Sequence, residues 1–367
     1  MYASIGMGHK VVAENIAEGL KKYDGISITM FDVNKFYEGP FVRVSTAIYI
    51  KILKYIPWLW GFFYTNRFFQ ALYLPLRIPF ASFKVKKFRV FFEKEKPDLI
   101  LCTHPTGTGL VSYLKKTGEY KGPLAVSFSD FHFQPFWIFP RVDRYLVMTP
   151  EQKQQVASYG FAPQRIIVTG LPVNEVFANN YSEAETAKEF GISKNKPLVL
   201  IMGGSRGWGI RVPDIEAVLM SEYDVQAAVI TGTDERLKNE VNRLGEKYPG
   251  RLAAFSNLSN EQVAKLFAIA KILVTKPGGL SIAQALLRGL PMVLVNPLPA
   301  MEELNQDYLI KRGIAVVAKT PREVRSWTER LLQDKKMYSM QKANMKRLYF
   351  PNASAAAARA IIDMFHV

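Results

Sequence analysis

The sequence is short of the residues that bind metals and cross-link chains. Its 367 residues include one cysteine and four histidines. Cys102 lies in the apolar run "DLILCT", which reads as a buried strand position rather than a reactive thiol, and a reducing compartment fits. No Cys/His spacing suits a zinc site, so no metal is expected. The opening residues show no basic region followed by an apolar stretch, so no secretory signal is predicted and the protein is placed on the cytosolic side. There is no low-complexity tract and no convincing internal repeat. With 49% hydrophobic and 22% charged residues, the composition is that of a folded globular chain. The length favours two domains of ordinary size.

The most informative absence is local. From Phe41 to Phe92 there is no acidic residue, while nine basic ones occur: Arg43, Lys51, Lys54, Arg67, Arg77, Lys84, Lys86, Lys87 and Arg89. That segment supplies +9 of the formal net charge of +16. Such an excess calls for an acidic partner, which could be nucleic acid, an anionic membrane or a nucleotide substrate. The same stretch contains "IPWLWGFFY" and "NRFFQALYLPL", so charge and large apolar side chains are interleaved. Trp58, Trp60, Phe62, Phe63, Arg67, Lys84, Lys86 and Lys87 have the makeup of a surface that lies in a lipid interface. A spanning helix needs about 20 apolar residues, and Pro57, Arg67, Pro75, Arg77 and Pro79 break this run. The segment is expected to lie on a membrane, with anionic lipids as partners. Two amphipathic helices packed on the core, with solvated lysines, are the competing reading. Nucleic acid is not expected, because no helix-turn-helix, zinc or aromatic RNA-platform motif accompanies the charge.

After this segment short apolar runs alternate with helical stretches. "DLILCT", "LAVSFS", "RYLVM" and "RIIVTG" read as buried strands, with helices near 107–117 and 150–159. "PLVLIMG", "VQAAVIT", "LAAF", "ILVT", "MVLV" and "IAVV" repeat the style in the second half. The expected class is α/β, with two doubly wound parallel sheets. The domains are set at 1–170 and 171–350, divided near "TGLPVNEVF" where Gly170 and Pro172 punctuate the chain. Residues 351–367 form a closing helix that could cross back to the first domain.

Three loops carry candidate chemistry. In "LVLIMGGSRGWG" a strand ends in Gly203, Gly204 and Ser205, where backbone N–H groups can approach an anion. In "ILVTKPGGLSIAQALLRG" a strand ends at Thr275, and Lys276, Pro277, Gly278 and Gly279 lead into a helix running to about Arg288. A diphosphate suits that positive helix N-terminus, although an unoccupied strand-to-helix turn would look the same locally. The GK[ST] ending of a Walker loop and the GxGxxG pattern are both missing. In "NPLPAMEELNQDYL", Glu302, Glu303 and Asn305 open a helix beyond a parallel strand's carboxyl end. Adjacent acids there also serve simply as partners of the helix dipole.

The block "TKPGGLSIAQALLRGLPMVLVNPLPAMEELN" resembles the donor-site signature of the family of monogalactosyldiacylglycerol synthases and bacterial processive diacylglycerol glucosyltransferases. "SIGMGHKVVAENI", "LCTHPTG", "SFSDFHFQPFWIFPRVDRYLVMTPE" and "TGLPVNEVF" resemble that family's other blocks, in the same order. The resemblance covers nearly the whole chain. It implies a GT-B fold, two Rossmann-like domains facing across a cleft, and an inverting, metal-independent transfer of a hexose from a UDP-sugar to diacylglycerol. UDP-hexose would be the donor substrate and no separate cofactor is implied. A peripheral site on the cytoplasmic face of the membrane follows. A polyprenyl-linked or other lipid acceptor and a non-catalytic membrane- or nucleotide-binding homologue are the alternatives.

Roles carried across by the resemblance are these. His9 in "GMGH" would take the acceptor hydroxyl's proton or orient the acceptor, and Asp130 in "SDFH" would be the rival base or His9's partner. Gly203 to Ser205, Lys276, Gly278, Gly279 and Ser281 would cradle the diphosphate. Gln284 would face the ribose, Glu302, Glu303 and Asn305 the sugar or nucleotide, and "FSNL" from Phe255 to Leu258 the uracil. Three positions depart from the pattern. Gln284 stands for a glutamate, Ala300 and Met301 for a glycine and a glutamine, and Gln134 for a histidine.

The opening "MYASIGMGHK" leaves three residues, Met1 to Ala3, before the glycine turn. A normal strand has about five or six residues, so the first strand of a doubly wound sheet is expected to be shortened or to begin upstream.

Overall fold

The computed structural model describes residues 1–4, 7–36, 51–52, 55–66, 68 and 85–365. Arg67 and Lys84, and the side chains of Trp60, Phe63, Lys86 and Lys87, lie outside the described residues. The chain forms two compact units. The first comprises Met1–Val173, Pro299–Met301 and Asn352–Val367, the second Asn174–Leu298 and Glu302–Pro351.

The first unit is built on four parallel strands in spatial order β1 (Ile100–Cys102), β2 (Leu124–Ser127), β3 (Arg144–Val147) and β4 (Ile166–Val168). They form here because parallel strands covered by helices on both faces are written as unbroken apolar runs; every residue of β2 is buried. Proline at the first turn and a β-conformation cap start the helices Pro105–Thr117 and Pro150–Ala157, capped by His104 and Thr149.

Met1 to Ala3 fill part of the first strand's place. Met1 N donates to Leu101 O at 2.6 Å and Thr103 N returns to Met1 O at 3.0 Å. On the other side Tyr2 pairs in parallel with Asp32, through Tyr2 N to Phe31 O at 2.9 Å and Val33 N to Tyr2 O at 2.8 Å. Three residues thus bridge two neighbours, and the following helix Met7–Leu20 begins at the sheet's carboxyl edge.

The helix Ala353–Ile362 belongs to this unit and packs on Met7–Leu20. Gly19 permits the approach, since a Cβ there would lie 2.9 Å from Ser354 O and 3.1 Å from Ala358 Cβ. Ser354 Oγ donates to Val173 O at 2.7 Å, the Arg144 guanidinium donates to Ala360 O, and Asn15 Nδ2 donates to Pro172 O at 3.0 Å.

The second unit carries six parallel strands: β5 (Leu198–Met202), β6 (Gln226–Gly232), β7 (Leu252–Ser256), β8 (Ile272–Thr275), β9 (Met292–Val295) and β10 (Ala315–Ala318). Their spatial order is β10-β9-β8-β5-β6-β7. All ten predicted strands are therefore present. Val199, Ile201, Val229, Val274 and Val293 form the centre of its core. The order reverses between β5 and β8, and open α/β sheets bind ligands at the carboxyl ends of strands at such a switch point. Among the described residues no helix is long and apolar enough to cross a membrane.

Candidate active site

In the first unit the candidate chemistry gathers at the carboxyl end of β1. His9 sits in the first turn of Met7–Leu20, and its Nδ1 lies 2.7 Å from Thr103 O. A carbonyl only accepts, so Nδ1 carries the proton and Nε2 keeps a bare lone pair. Thr103 clamps the same residue a second time, its hydroxyl donating to His9 O at 2.8 Å. His104 follows, edge-on to His9 with ring centroids 4.8 Å apart and planes at 86°. Its Nδ1 accepts from Thr106 N at 3.2 Å, capping the helix Pro105–Thr117 and leaving its own ring proton on Nε2. Trp137, 6.1 Å from His9, and Phe128, 5.1 Å from Trp137, form the apolar side of this cluster.

Burial pushes the His9 imidazole below its ordinary value, against the raising effects of the Asp130 charge and the Thr103 carbonyl. Burial also holds His104 well below that value, and the neighbouring His9 adds to the effect. At neutral pH His9 is thus uncharged, as a base must be. Asp130 reaches His9 through its charge. Its own carbonyl accepts from Gln152 Nε2 at 2.7 Å and its carboxylate from Ser129 Oγ at 3.2 Å. The group that orients His9 is therefore Thr103, which the sequence reading did not single out, and His104 was missed with it. A buried strand running into Thr-His-Pro signals a helix cap, but not what the cap touches.

In the second unit the glycine loops lie at the carboxyl ends of β5 and β8. Gly204, Gly207 and Gly209 have φ of +71°, +66° and +85°, conformations that L residues rarely adopt. Ser205 O accepts from Thr233 N at 2.9 Å, which fixes the first loop against the end of β6. Lys276 follows β8 and forms an ion pair with Glu302, the two side chains 15% and 9% exposed. The second Glu302 oxygen accepts from Leu298 N at 2.8 Å. Gly278 caps Gly279–Arg288 with no side-chain hydrogen bond, and a Cβ on it would lie 3.4 Å from both Lys276 Nζ and Glu302 Oε1. That helix thus presents backbone N–H groups beside a lysine, which is what an anion needs. Ser281 and Gln284 are buried in its first two turns.

Asn305 is wholly buried, and its Nδ2 donates to Pro277 O at 3.1 Å. It braces the Lys276 loop from beneath, whereas Glu303 on the same helix is exposed. Thr275 Oγ1 donates to Met202 O at 2.8 Å and ties the two loop-bearing strands together. Asn296, at φ +43°, donates to Gly209 O at 2.9 Å and to Asp214 at 2.8 Å. Asp214 is fully buried and takes both arms of Arg211 at 2.8 Å. Phe255 and Leu258 are half-buried at the end of β7, with Phe255 edge-on to Phe190 at 5.2 Å. Ala300, in the place of the resembled family's glycine, has φ +63°.

The aromatic helix Pro57–Thr65 leaves Trp58 71% and Phe62 49% exposed, and Tyr55 before it 68% exposed.

Comparison with known proteins adds to this geometry. The sequence profile of the family described as monogalactosyldiacylglycerol (MGDG) synthase matches residues 9–173. A processive diacylglycerol beta-glucosyltransferase of Bacillus cereus is 28% identical over 366 residues, covering 100% of this chain and 93% of the relative. One from Bacillus pumilus is 26% identical over 372 residues, covering 98% and 93%. Among solved structures, Acinetobacter baumannii MurG superposes with a TM-score of 0.58 at 16% identity, covering 99% of this chain and 98% of that one. Staphylococcus aureus MnaA, solved with UDP, gives 0.58 at 13% identity, covering 98% and 92%. The fold shared with such enzymes is GT-B.

Proposed function

We propose that the chain is a member of the family of monogalactosyldiacylglycerol synthases and processive diacylglycerol glucosyltransferases, to which it is similar, and that it moves a hexose from a UDP-sugar to diacylglycerol. The observation that carries the reading is His9, with Nδ1 committed to Thr103, Nε2 bare and the ring kept neutral by burial. Nε2 takes the proton of the acceptor hydroxyl. The freed oxygen bonds to the anomeric carbon from the face opposite the leaving group, and the carbon–diphosphate bond breaks with its electron pair going to UDP. Asp130 steadies the imidazolium that results. The charge that develops on UDP is met by Lys276 and the N-terminus of Gly279–Arg288, so Lys276 exchanges Glu302 for a phosphate when donor binds. No metal ion or further cofactor is needed for this step.

The acceptor is a membrane lipid, and the enzyme meets it peripherally, from the cytoplasmic face. Tyr55, Trp58 and Phe62 offer the apolar contact. The nine basic residues between Phe41 and Phe92, unmixed with acids, match an anionic lipid surface. Incubating the protein with radiolabelled UDP-glucose, UDP-galactose or UDP-N-acetylglucosamine and vesicles of phosphatidylglycerol with diacylglycerol, followed by thin-layer chromatography, tests the whole reading. Labelled glycolipid is expected from one of the first two donors. Binding of UDP without any labelled lipid would overturn the catalytic assignment, and label that enters only when polyprenyl phosphate is supplied would overturn the acceptor.

A further inference from the structure

The helix Pro57–Thr65 has two aromatic faces that do different things. Trp58 and Phe62 are one turn apart on one exposed stripe, and Tyr55, which precedes the helix, is exposed as well. Tyr64 points to the other side. Its ring lies 5.6 Å from Phe136 and 6.2 Å from the ring of His132, with its hydroxyl 3.2 Å from His132 Nε2. His132 is buried and stands two residues after Asp130.

The backbone of that loop is held from elsewhere. Gln152, itself buried, donates through Nε2 to Asp130 O at 2.7 Å and to His132 O at 3.2 Å, while its Oε1 accepts from Met148 N at 2.8 Å. The segment bearing Asp130 is thus pinned on one side to the end of β3 and meets the aromatic helix on the other through Tyr64. Asp130 in turn bears on His9 by its charge.

We propose that Tyr64 and His132 are positioning residues that couple the seating of the aromatic helix on an anionic membrane to the placement of Asp130 beside His9. The inference rests on the membrane and acceptor assignment above, and makes turnover depend on the lipid surface as well as on the supply of acceptor.

Tyr64→Phe keeps the ring on Phe136 and removes the hydroxyl. In phosphatidylglycerol vesicles containing diacylglycerol, the variant is expected to sediment with vesicles and bind UDP like the parent, with KM for the donor unchanged. Its kcat should fall about 2- to 10-fold, the range set by one net hydrogen bond. Tyr64→Phe combined with His132→Gln should be no slower than His132→Gln alone; additive losses would overturn the coupling. A second readout needs no turnover. Amide exchange of residues 129–134 should slow when phosphatidylglycerol vesicles without diacylglycerol or donor are added to the parent, and should not respond in Tyr64→Phe. Exchange that ignores vesicles in the parent overturns the proposal even if glycolipid is made. If the vesicle response appears and is lost in Tyr64→Phe while no sugar is transferred, the coupling stands and the transferase assignment falls.

Discussion

Replacing His104 by asparagine should make the first unit less sensitive to mild acid, and the size of the effect follows from how the ring is held. The ring is buried, caps Pro105–Thr117 by accepting from Thr106 N at 3.2 Å, and meets His9 edge-on at 4.8 Å. Asparagine is among the best N-cap residues, so the roughly 1 kcal/mol of cap stabilisation should survive. What disappears is one imidazole that the fold keeps neutral. Both His9 and His104 are held below the ordinary 6.5, His104 well below. Well above pH 6.5 the two are neutral in folded and unfolded chains alike and contribute no pH dependence. As pH falls below that value the unfolded chain takes up protons that the folded chain does not, so stability drops until the pH reaches each folded-state pKa. Between pH 6.5 and 5.5 a histidine kept fully neutral loses about 1 kcal/mol by this linkage, and its limiting slope is about 1.4 kcal/mol per pH unit. The native protein should lose about 1 to 2 kcal/mol over that interval from the pair, and His104→Asn about 1 kcal/mol less. Carboxylates titrate near pH 4 and stay out of this window. Urea unfolding of the full chain at several values between pH 5 and 7.5, followed through amide protection of β1 and β2, measures the difference. Equal losses in the two proteins would refute the account of His104 as a buried neutral group.

Three further outcomes are expected. His9→Ala should lower kcat by about 100- to 10,000-fold, the range for a general base, while UDP affinity measured by titration stays within a factor of two or so; a loss of affinity equal to the loss of rate would remove His9 from the chemistry. Serine at both Trp58 and Phe62 should weaken sedimentation with phosphatidylglycerol vesicles by roughly tenfold or more, since burying one such ring is worth about 1.5 to 3 kcal/mol; unchanged sedimentation would remove the stripe from the interface. Gly19→Val should lower the melting temperature through a loss of about 1 to 3 kcal/mol, because Ser354 O and Ala358 leave no room for a side chain; a variant as stable as the parent would show that Ala353–Ile362 shifts freely.

The strands were legible in the sequence for a physical reason. A parallel strand covered on both faces is an apolar run, and "LVLIM", "VQAAVIT" and "MVLV" can hardly be anything else. The loops after β5 and β8 were legible because glycine and proline punctuate them, and after β5 the left-handed backbone of Gly204, Gly207 and Gly209 requires it. What could not be read is how side chains meet across long stretches of chain. Thr103 orients His9 through a carbonyl 94 residues away, and every residue has a carbonyl. Asp130, with its distinctive side chain, stood out as the rival base or as His9's partner, and it bears on His9 through its charge. The pairing of Tyr64 with His132 spans 68 residues and leaves no local pattern. Asn305 shares the buried face of its helix with Glu302, three residues before it, and its hydrogen bond to Pro277 O spans 28 residues that no local pattern links. Met1 to Ala3 looked too short for a strand, and they serve as one only because backbone partners stand on both sides.

The helix Ala353–Ile362 completes the first unit although the second unit lies between it and Val173. On the ribosome this order matters. The second unit is nearly contiguous and can close as soon as it emerges, whereas the first must wait for some 180 residues of intervening chain, roughly 10 to 40 s at ordinary rates of synthesis. Through that interval the face of Met7–Leu20 around Gly19 has no helix to receive. The nascent first unit is then the part of this protein most exposed to chaperones and to wrong partners, and the helix Pro57–Thr65 with its exposed Trp58 and Phe62 emerges within it.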